Sequence, residues 1–314
     1  MNKLKGLLIL IGVILVIGGG ALFAVSITKG YFSTGELETN KYEFTEEITD
    51  FSIDVDVSDI IFEKTSDTKC VVECSEREKL LHEVKVEGNK LIIKQQDTRK
   101  WYEQLGLANC KVKIYLPNDS YNDLVIDDST GEINIPKGFT FNKIDIDVST
   151  GDIYINAKVL NGIKIDGSTS DIKIEDSEMN SLTIDVSTGD VVLKNVKVAT
   201  TINCESSTGH HTYEGVTAEN LTINASTGRV TLTNTIINNN ITINTDTGRV
   251  KFDKSDAETL NITTSTGDVT GNLLTPKSFY AKTSSGTVNV PETTGSICRI
   301  NTSTGDIIIE IKPE

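Results

Sequence analysis

Residues 147–153 run Asp-Val-Ser-Thr-Gly-Asp-Ile, and residues 185–191 run Asp-Val-Ser-Thr-Gly-Asp-Val. Aligned on the glycine, the motif recurs at Gly131, Gly151, Ser170, Gly189, Gly209, Gly228, Gly248, Gly267, Gly286 and Gly305, always 19 or 20 residues apart. So regular a period marks a repeat architecture, in which each unit buries its apolar face against its neighbours.

The columns around the glycine say what each unit is. Five residues before it stand Ile126, Ile146, Ile165, Ile184, Cys204, Ile223, Ile243, Ile262, Ala281 and Ile300. The column seven before is Leu or Ile as far as Leu260, then Phe279 and Cys298. The column two after is Ile or Val except at His211. Asp, Asn, Thr and Lys fill most positions between. Alternation with period two means a strand with one face buried and one wet. Each unit is therefore strand, Ser-Thr-Gly bend, strand, and a variable return.

Two architectures fit. Units stacked in parallel at ~4.8 Å form a β-solenoid, whereas Ser-Thr-Gly-Asp used as a hairpin loop gives an antiparallel meander. The near-constant period and like-on-like columns favour stacking. The expected fold is all-β: a parallel β-solenoid of about ten 19–20-residue rungs over 121–314. The bend glycine supplies positive φ at a corner, and the Ser and Thr hydroxyls bond nearby backbone. In register, Thr130, Thr150, Thr169, Thr188, Thr208, Thr227, Thr247 and Thr266 make a hydroxyl ladder. Cys204 and Cys298 fall five rungs apart, ~24 Å, too far for a disulfide.

Residues 7–27 carry no charge and follow Lys3 and Lys5. As a helix they span ~31 Å, the thickness of a bilayer core, with the N-terminus cytoplasmic and the bulk of the chain outside. Residues 1–29 are thus expected to form a cytoplasmic tip and single transmembrane anchor; a cleaved signal peptide is the competing reading. Residues 30–120 form a linker and β-rich cap, with a hairpin at Glu87-Gly88-Asn89, a cover over the coil end at 97–109 and an imperfect rung at Asp56–Ile61. Five cysteines leave at least one unpaired. Cys70, Cys74 and Cys110 leave one disulfide open, while a metal site at Cys70 and Cys74 lacks a second Cys or His pair at zinc spacing.

The run Val112–Pro117, "VKIYLP", then "LVIDDSTGEINI" and the STGD units resemble the LiaG-like family of bacterial putative adhesins, β-strand-repeat proteins of unknown function. The resemblance implies a membrane-tethered envelope protein of Gram-positive type.

A net charge of −15 argues against nucleic acid or anionic lipid as a direct partner. The acids line both sides of the bend in the first units, at Asp127, Asp147, Asp166 and Asp185 before it and Asp152, Asp171 and Asp190 after it. Like charges ~4.8 Å apart repel, so these seven are candidate Ca²⁺ ligands; a solvated, screened face is the plainer reading. For polysaccharide chemistry the best cluster is His210, His211, Arg229, Arg249, Asp246 and Asp268, set against simple substitution within outward and inward columns. The chain has no nucleophile elbow, phosphate loop or HExxH sequence. No catalytic residue and no cofactor is assigned. The function expected is binding, as an envelope adhesin, scaffold or stress-response accessory. Its partner is an envelope protein or the cell wall, met at the edge strands or at irregular returns such as 236–240 and 273–278.

Overall fold

The computed structural model describes residues 36–101, 103 and 110–313. The anchor expected over 1–29 lies outside them. Among the described residues no helix is long and apolar enough to cross a membrane.

The strands are β1 (Leu37–Phe44), β2 (Asp50–Val55), β3 (Ser58–Lys64), β4 (Cys70–Arg77), β5 (Leu80–Glu87), β6 (Lys90–Asp97) and β7 (Cys110–Leu116). The repeats follow: β8 (Ser120–Thr130), β9 (Ile133–Ile135), β10 (Thr140–Thr150), β11 (Ile153–Ile155), β12 (Lys158–Thr169), β13 (Ile172–Glu175), β14 (Glu178–Thr188) and β15 (Val191–Lys194). Next come β16 (Lys197–Val198), β17 (Thr201–Thr208), β18 (His211–Glu214), β19 (Thr217–Thr227), β20 (Val230–Thr233), β21 (Ile236–Thr247) and β22 (Val250–Asp253). The last are β23 (Asp256–Thr266), β24 (Val269–Leu273), β25 (Lys277–Ser285), β26 (Val288–Asn289), β27 (Ser296–Thr304) and β28 (Ile307–Ile311).

Like positions stack. Ile146 pairs with Ile126 and Ile165, Ile165 with Ile184, Ile184 with Cys204 and Cys204 with Ile223, all in parallel. Each of these side chains is at most 1% exposed. The parallel sense excludes the antiparallel meander. Truncating one such isoleucine to alanine costs about 2–5 kcal/mol, so the columns hold the fold.

Close approach dictates the corner glycine. A Cβ built on Gly151 would lie 1.8 Å from Gly131 O, and on Gly209 1.8 Å from Gly189 O. The motif threonines do stack, but backbone joins the turns: Gly151 N–H donates to Thr169 O at 3.1 Å and Gly189 N–H to Thr208 O at 2.9 Å. Ser170 departs from the pattern by a paired exchange. The inward residue that is Val148 and Val186 in the turns on either side is here Gly167, and a Cβ there would meet Ser170 Cβ and Oγ at 3.4 Å. Ser170, 2% exposed, fills the space that Gly167 leaves.

A second corner follows the short strand. Asp176, Asn195, Gly215, Asn234 and Lys254, each six residues after the motif's glycine position, take φ between 47° and 64°. Asn, Asp and Gly tolerate that left-handed conformation best. The Asn195 amide donates to Asp176 Oδ1 at 2.9 Å, tying corner to corner.

Both ends of the coil are exchanged relative to sequence order. At the C-terminal end β27 pairs with β23 on one side and β25 on the other, and β28 likewise with β24 and β26. The last turn in sequence is therefore inserted beneath the one before it. At the N-terminal end β2 and β3 pair with β8 and β9 on one side and with β6 and β7 on the other. The imperfect rung expected at Asp56–Ile61 is a full turn, Asp50–Lys64, with a second turn outside it. Antiparallel β4 and β5 then cover that outer turn, β4 on β7 and β5 on β6, the latter through a Gly88-Asn89 hairpin. The exchange moves Cys298 opposite Leu260, about four turns (~19 Å) from Cys204, not five. All five cysteines are free and buried, so Cys70, Cys74 and Cys110 form no disulfide.

Candidate functional site

The return segments line a long concavity. Over five successive turns, residues 158–160, 178–180, 197–199, 217–219 and Asn238 enclose about 510 Å³. Its floor is the buried column Val159, Met179, Val198 and Ala218, successors to the larger Tyr121 and Phe141 of the first turns. Leu160, 56% exposed, stands at one end of the floor. Lys158 and Lys197 flank Glu178 at 3.5 and 3.2 Å along the rim. At the far end Asn238 and Asn239 both donate to Glu219, at 2.8 and 2.9 Å. The irregular return at 236–240 is thus an ordered bulge at the groove.

The two acidic columns prove to be different. Asp127, Asp147, Asp166 and Asp185 stack in register on the outer face, followed by Glu205, Asn224 and Asn244. Burial and then the neighbouring Asp147, Asp54 and Asp56 raise the Asp127 carboxyl above its ordinary range. After the bend the acids cap backbone. Asp171 Oδ1 accepts from Asp190 N at 2.7 Å, and Asp190 Oδ1 accepts from His210 N at 2.7 Å. Asp152 instead accepts from the Tyr154 hydroxyl at 3.3 Å. No three of these seven aspartates bring oxygens within 4.8 Å of one another among the described residues.

The histidine cluster divides in the same way. His210 continues the capping column, its Nδ1 accepting from Arg229 N at 3.0 Å. His211 points inward, fully buried, with Nε2 on Ser206 Oγ at 2.7 Å and Nδ1 on Tyr213 Oη at 3.3 Å. Burial lowers its pKa to about 4. Arg249 pairs with Asp268 at 3.2 Å on the surface, and Asp246 lines a separate shallow groove near Asp185 and Asn224. His211 therefore does not share a surface with Arg249 and Asp268.

One constellation escaped the sequence reading. On β4, period two sends Cys74 and Glu76 to the same inward face, and the tight β4–β5 hairpin returns His82 beside them. Glu76 Oε2 accepts from His82 N at 2.6 Å and lies 2.9 Å from His82 Nδ1. Ser58 Oγ is 2.9 Å from His82 Nε2. Serine, histidine and carboxylate stand in the hydrogen-bonding order of a hydrolase relay, but Ser58 is 1% exposed and sealed beneath the first corner. Burial lowers the His82 pKa, opposed by Glu76, and raises the Cys74 thiol to about 12. The available signal was two polar residues, Glu76 and His82, at positions where strand alternation demands apolar ones.

A parallel repeat coil with capped corners and a groove along its return segments defines a β-solenoid. The chain belongs to the Toastrack DUF4097 family, whose model matches residues 48–213 and 201–314. Comparison with curated proteins gives no match. Among solved structures, a "putative adhesin" from Parabacteroides merdae is 14% identical, with a TM-score of 0.51 over 88% of this chain and 97% of that one. A "putative lipid binding protein" from Parabacteroides distasonis is also 14% identical, with a TM-score of 0.50 over 88% and 98%. At that identity the likeness is one of fold.

Proposed function

We propose that the protein is a membrane-tethered, extracytoplasmic binding module of the cell envelope, an adhesin or scaffold that works by presenting its coil and not by catalysis. The groove carries this reading. An extended peptide or glycan laid along the axis would meet an apolar floor and a charged rim repeated turn after turn, the kind of surface solenoids use for long partners. Leu160, exposed at the groove end, is the apolar contact such a partner would cover. An anchor at 7–27 with a cytoplasmic N-terminus would hold the coil outside, as the LiaG-like resemblance also implies. Calcium is not part of the reading, because Asp171 and Asp190 already use an oxygen to cap the next turn.

The test is site-specific photo-crosslinking from the full chain in intact cells. A crosslinker at Asn180, in the groove, captures one discrete neighbour or wall fragment, and Leu160→Asp abolishes the capture at unchanged protein level. A crosslinker at Ser187, on an exposed corner, captures none. Equal capture from both positions, or none from Asn180, overturns the reading. Release of reducing ends from wall polysaccharide by the purified chain would replace it with an enzymatic one.

A further inference from the structure

We infer that Cys74, Glu76 and His82 form a binding site for a single divalent ion of borderline softness, of which zinc is the representative. One ligand atom from each lies within 4.8 Å of the others, and the three residues are 0%, 2% and 5% exposed. Thiolate, imidazole and carboxylate together suit a zinc-like ion; calcium and magnesium take oxygen ligands. Thiolate and carboxylate also cancel a double positive charge, so the filled site adds no net charge to the interior.

The surroundings fit the same role. Metal-bound histidines give their second ring nitrogen to an orienting partner, and Ser58 Oγ holds that place at His82 Nε2. Glu76 is fixed by the His82 backbone N–H and by the Asn40 side-chain amide. An approach exists as well: a cavity of about 480 Å³ reaches Glu76, and on its walls Glu36, Glu38 and Glu78 outnumber the one cation, Arg77. An acid-lined mouth raises the local cation concentration. Three protein ligands leave a tetrahedral ion one position, which water fills from this cavity.

The protons balance. For a neutral His82 whose proton sits on Nδ1 toward Glu76, the Ser58 hydroxyl donates to Nε2 in the ion-free site. With it, Nδ1 binds the ion, the ring proton moves to Nε2 and donates to Ser58 Oγ, and Cys74 loses its thiol proton to solvent. One proton is released per ion bound.

The experiment is titration of the purified full chain with cobalt(II) and zinc(II), calcium(II) serving as control. Cobalt is expected to bind one equivalent and develop a sulfur-to-metal charge-transfer band. Zinc displaces it and raises the melting temperature, and calorimetry in buffers of different ionisation enthalpy reports one proton per zinc. Cys74→Ser removes the band. Ser58→Ala, outside the ligand set, keeps the band and weakens zinc about tenfold or more; it decides the matter if Cys74→Ser does not fold. A wild-type chain without a cobalt–thiolate band overturns the inference. So does a band that survives Cys74→Ser, or zinc affinity unchanged by Ser58→Ala.

Discussion

At Gly248 the backbone leaves no room for a side chain: a Cβ there would sit 1.7 Å from Gly228 O, although its φ lies outside the left-handed range. Gly88, by contrast, has φ +63° and nothing within 4 Å of a built Cβ. The two separate crowding from torsional strain. Gly88→Ala is expected to cost about 1 kcal/mol, the left-handed penalty alone, and Gly248→Ala clearly more, because stacked backbones must part. Urea denaturation of both variants measures the difference. Asp128 carries a different tension. It sits 1% exposed in the inward column beside Val148 and Val55, with Oδ1 accepting from Thr130 N at 3.0 Å and Oδ2 without a partner. Burial, with lesser contributions from Asp59, Asp56 and Asp127, raises its pKa to about 7. Against an unfolded value of about 3.9, the native state holds the proton more tightly. The stability this contributes is complete below about pH 4 and is lost as pH rises through about 7. Asp128→Asn should match the wild type at pH 4 and exceed it at pH 8 by on the order of 1 kcal/mol or more. An unchanged pH slope in urea titrations would contradict that assignment. The aspartate is plain in the sequence, but its burial is not: the preceding Asp127 belongs to the outward column and hides the inward one.

The short elements around each bend carry two lines of acids that look alike in sequence and differ in work. Acids after the bend hold the amide of the next turn, a task that passes unbroken from Asp171 to Asp190 to His210 and on to Arg229. Acids before the bend cap no backbone amide and stack on their own kind, with a neighbouring lysine beside one of them at Lys164–Asp166. Removing Asp190 should therefore cost about 0.5–1 kcal/mol, the worth of one hydrogen bond, with Asp190→Asn restoring most of it. Asp147→Ala relieves repulsion in the stack and should be neutral or slightly stabilising, the more so at low salt. Thermal melts at two ionic strengths distinguish the columns. Periodicity made the strands and the first corner readable, because apolar alternation and glycine are compositional signals. The second corner was harder. Its left-handed column of Asp176, Asn195, Gly215, Asn234 and Lys254 is regular, yet Lys254 breaks the residue type and the following segment varies in length. The groove was not legible at all, since its floor of Val159, Met179, Val198 and Ala218 continues the apolar column of Tyr121 and Phe141 with smaller side chains and no change of pattern.

For the molecule as a whole, the exchanged ends decide where the coil opens first. A solenoid ordinarily frays from its termini, where the last turn has only one neighbour. Here the last turn in sequence, β27 and β28, has a neighbour on each side, and the exposed end is the earlier β25 and β26. Side-chain exposure follows the spatial order: Ile300 is 1% exposed and Cys298 fully buried, whereas Val288 is 42% exposed. A constant repeat cannot reveal this, because every unit fits every other; the step back is made over 290–295 and the step out over the link at 274–276. That link is pinned by Lys277, which is 1% exposed and reaches past the inserted turn. Its Nζ donates to Ala257 O at 2.6 Å and pairs with Asp256 at 2.7 Å, while Ser296 of the inserted turn accepts from it at 2.9 Å. Asp256 is held in turn by the Leu274 and Thr275 amides, at 3.1 and 2.7 Å. Removing one partner of a buried pair strands the other, so Lys277→Met should cost about 3 kcal/mol or more and act chiefly on the terminal turns. Native-state hydrogen exchange gives the decisive reading. In the wild type, amides of β27 should outlast those of β25 despite lying nearer the C-terminus. In Lys277→Met both should exchange faster while Ile165 and Ile184 keep their protection. If β25 proves the slower of the two in the wild type, the turns stack in simple sequence order and the exchange is wrong.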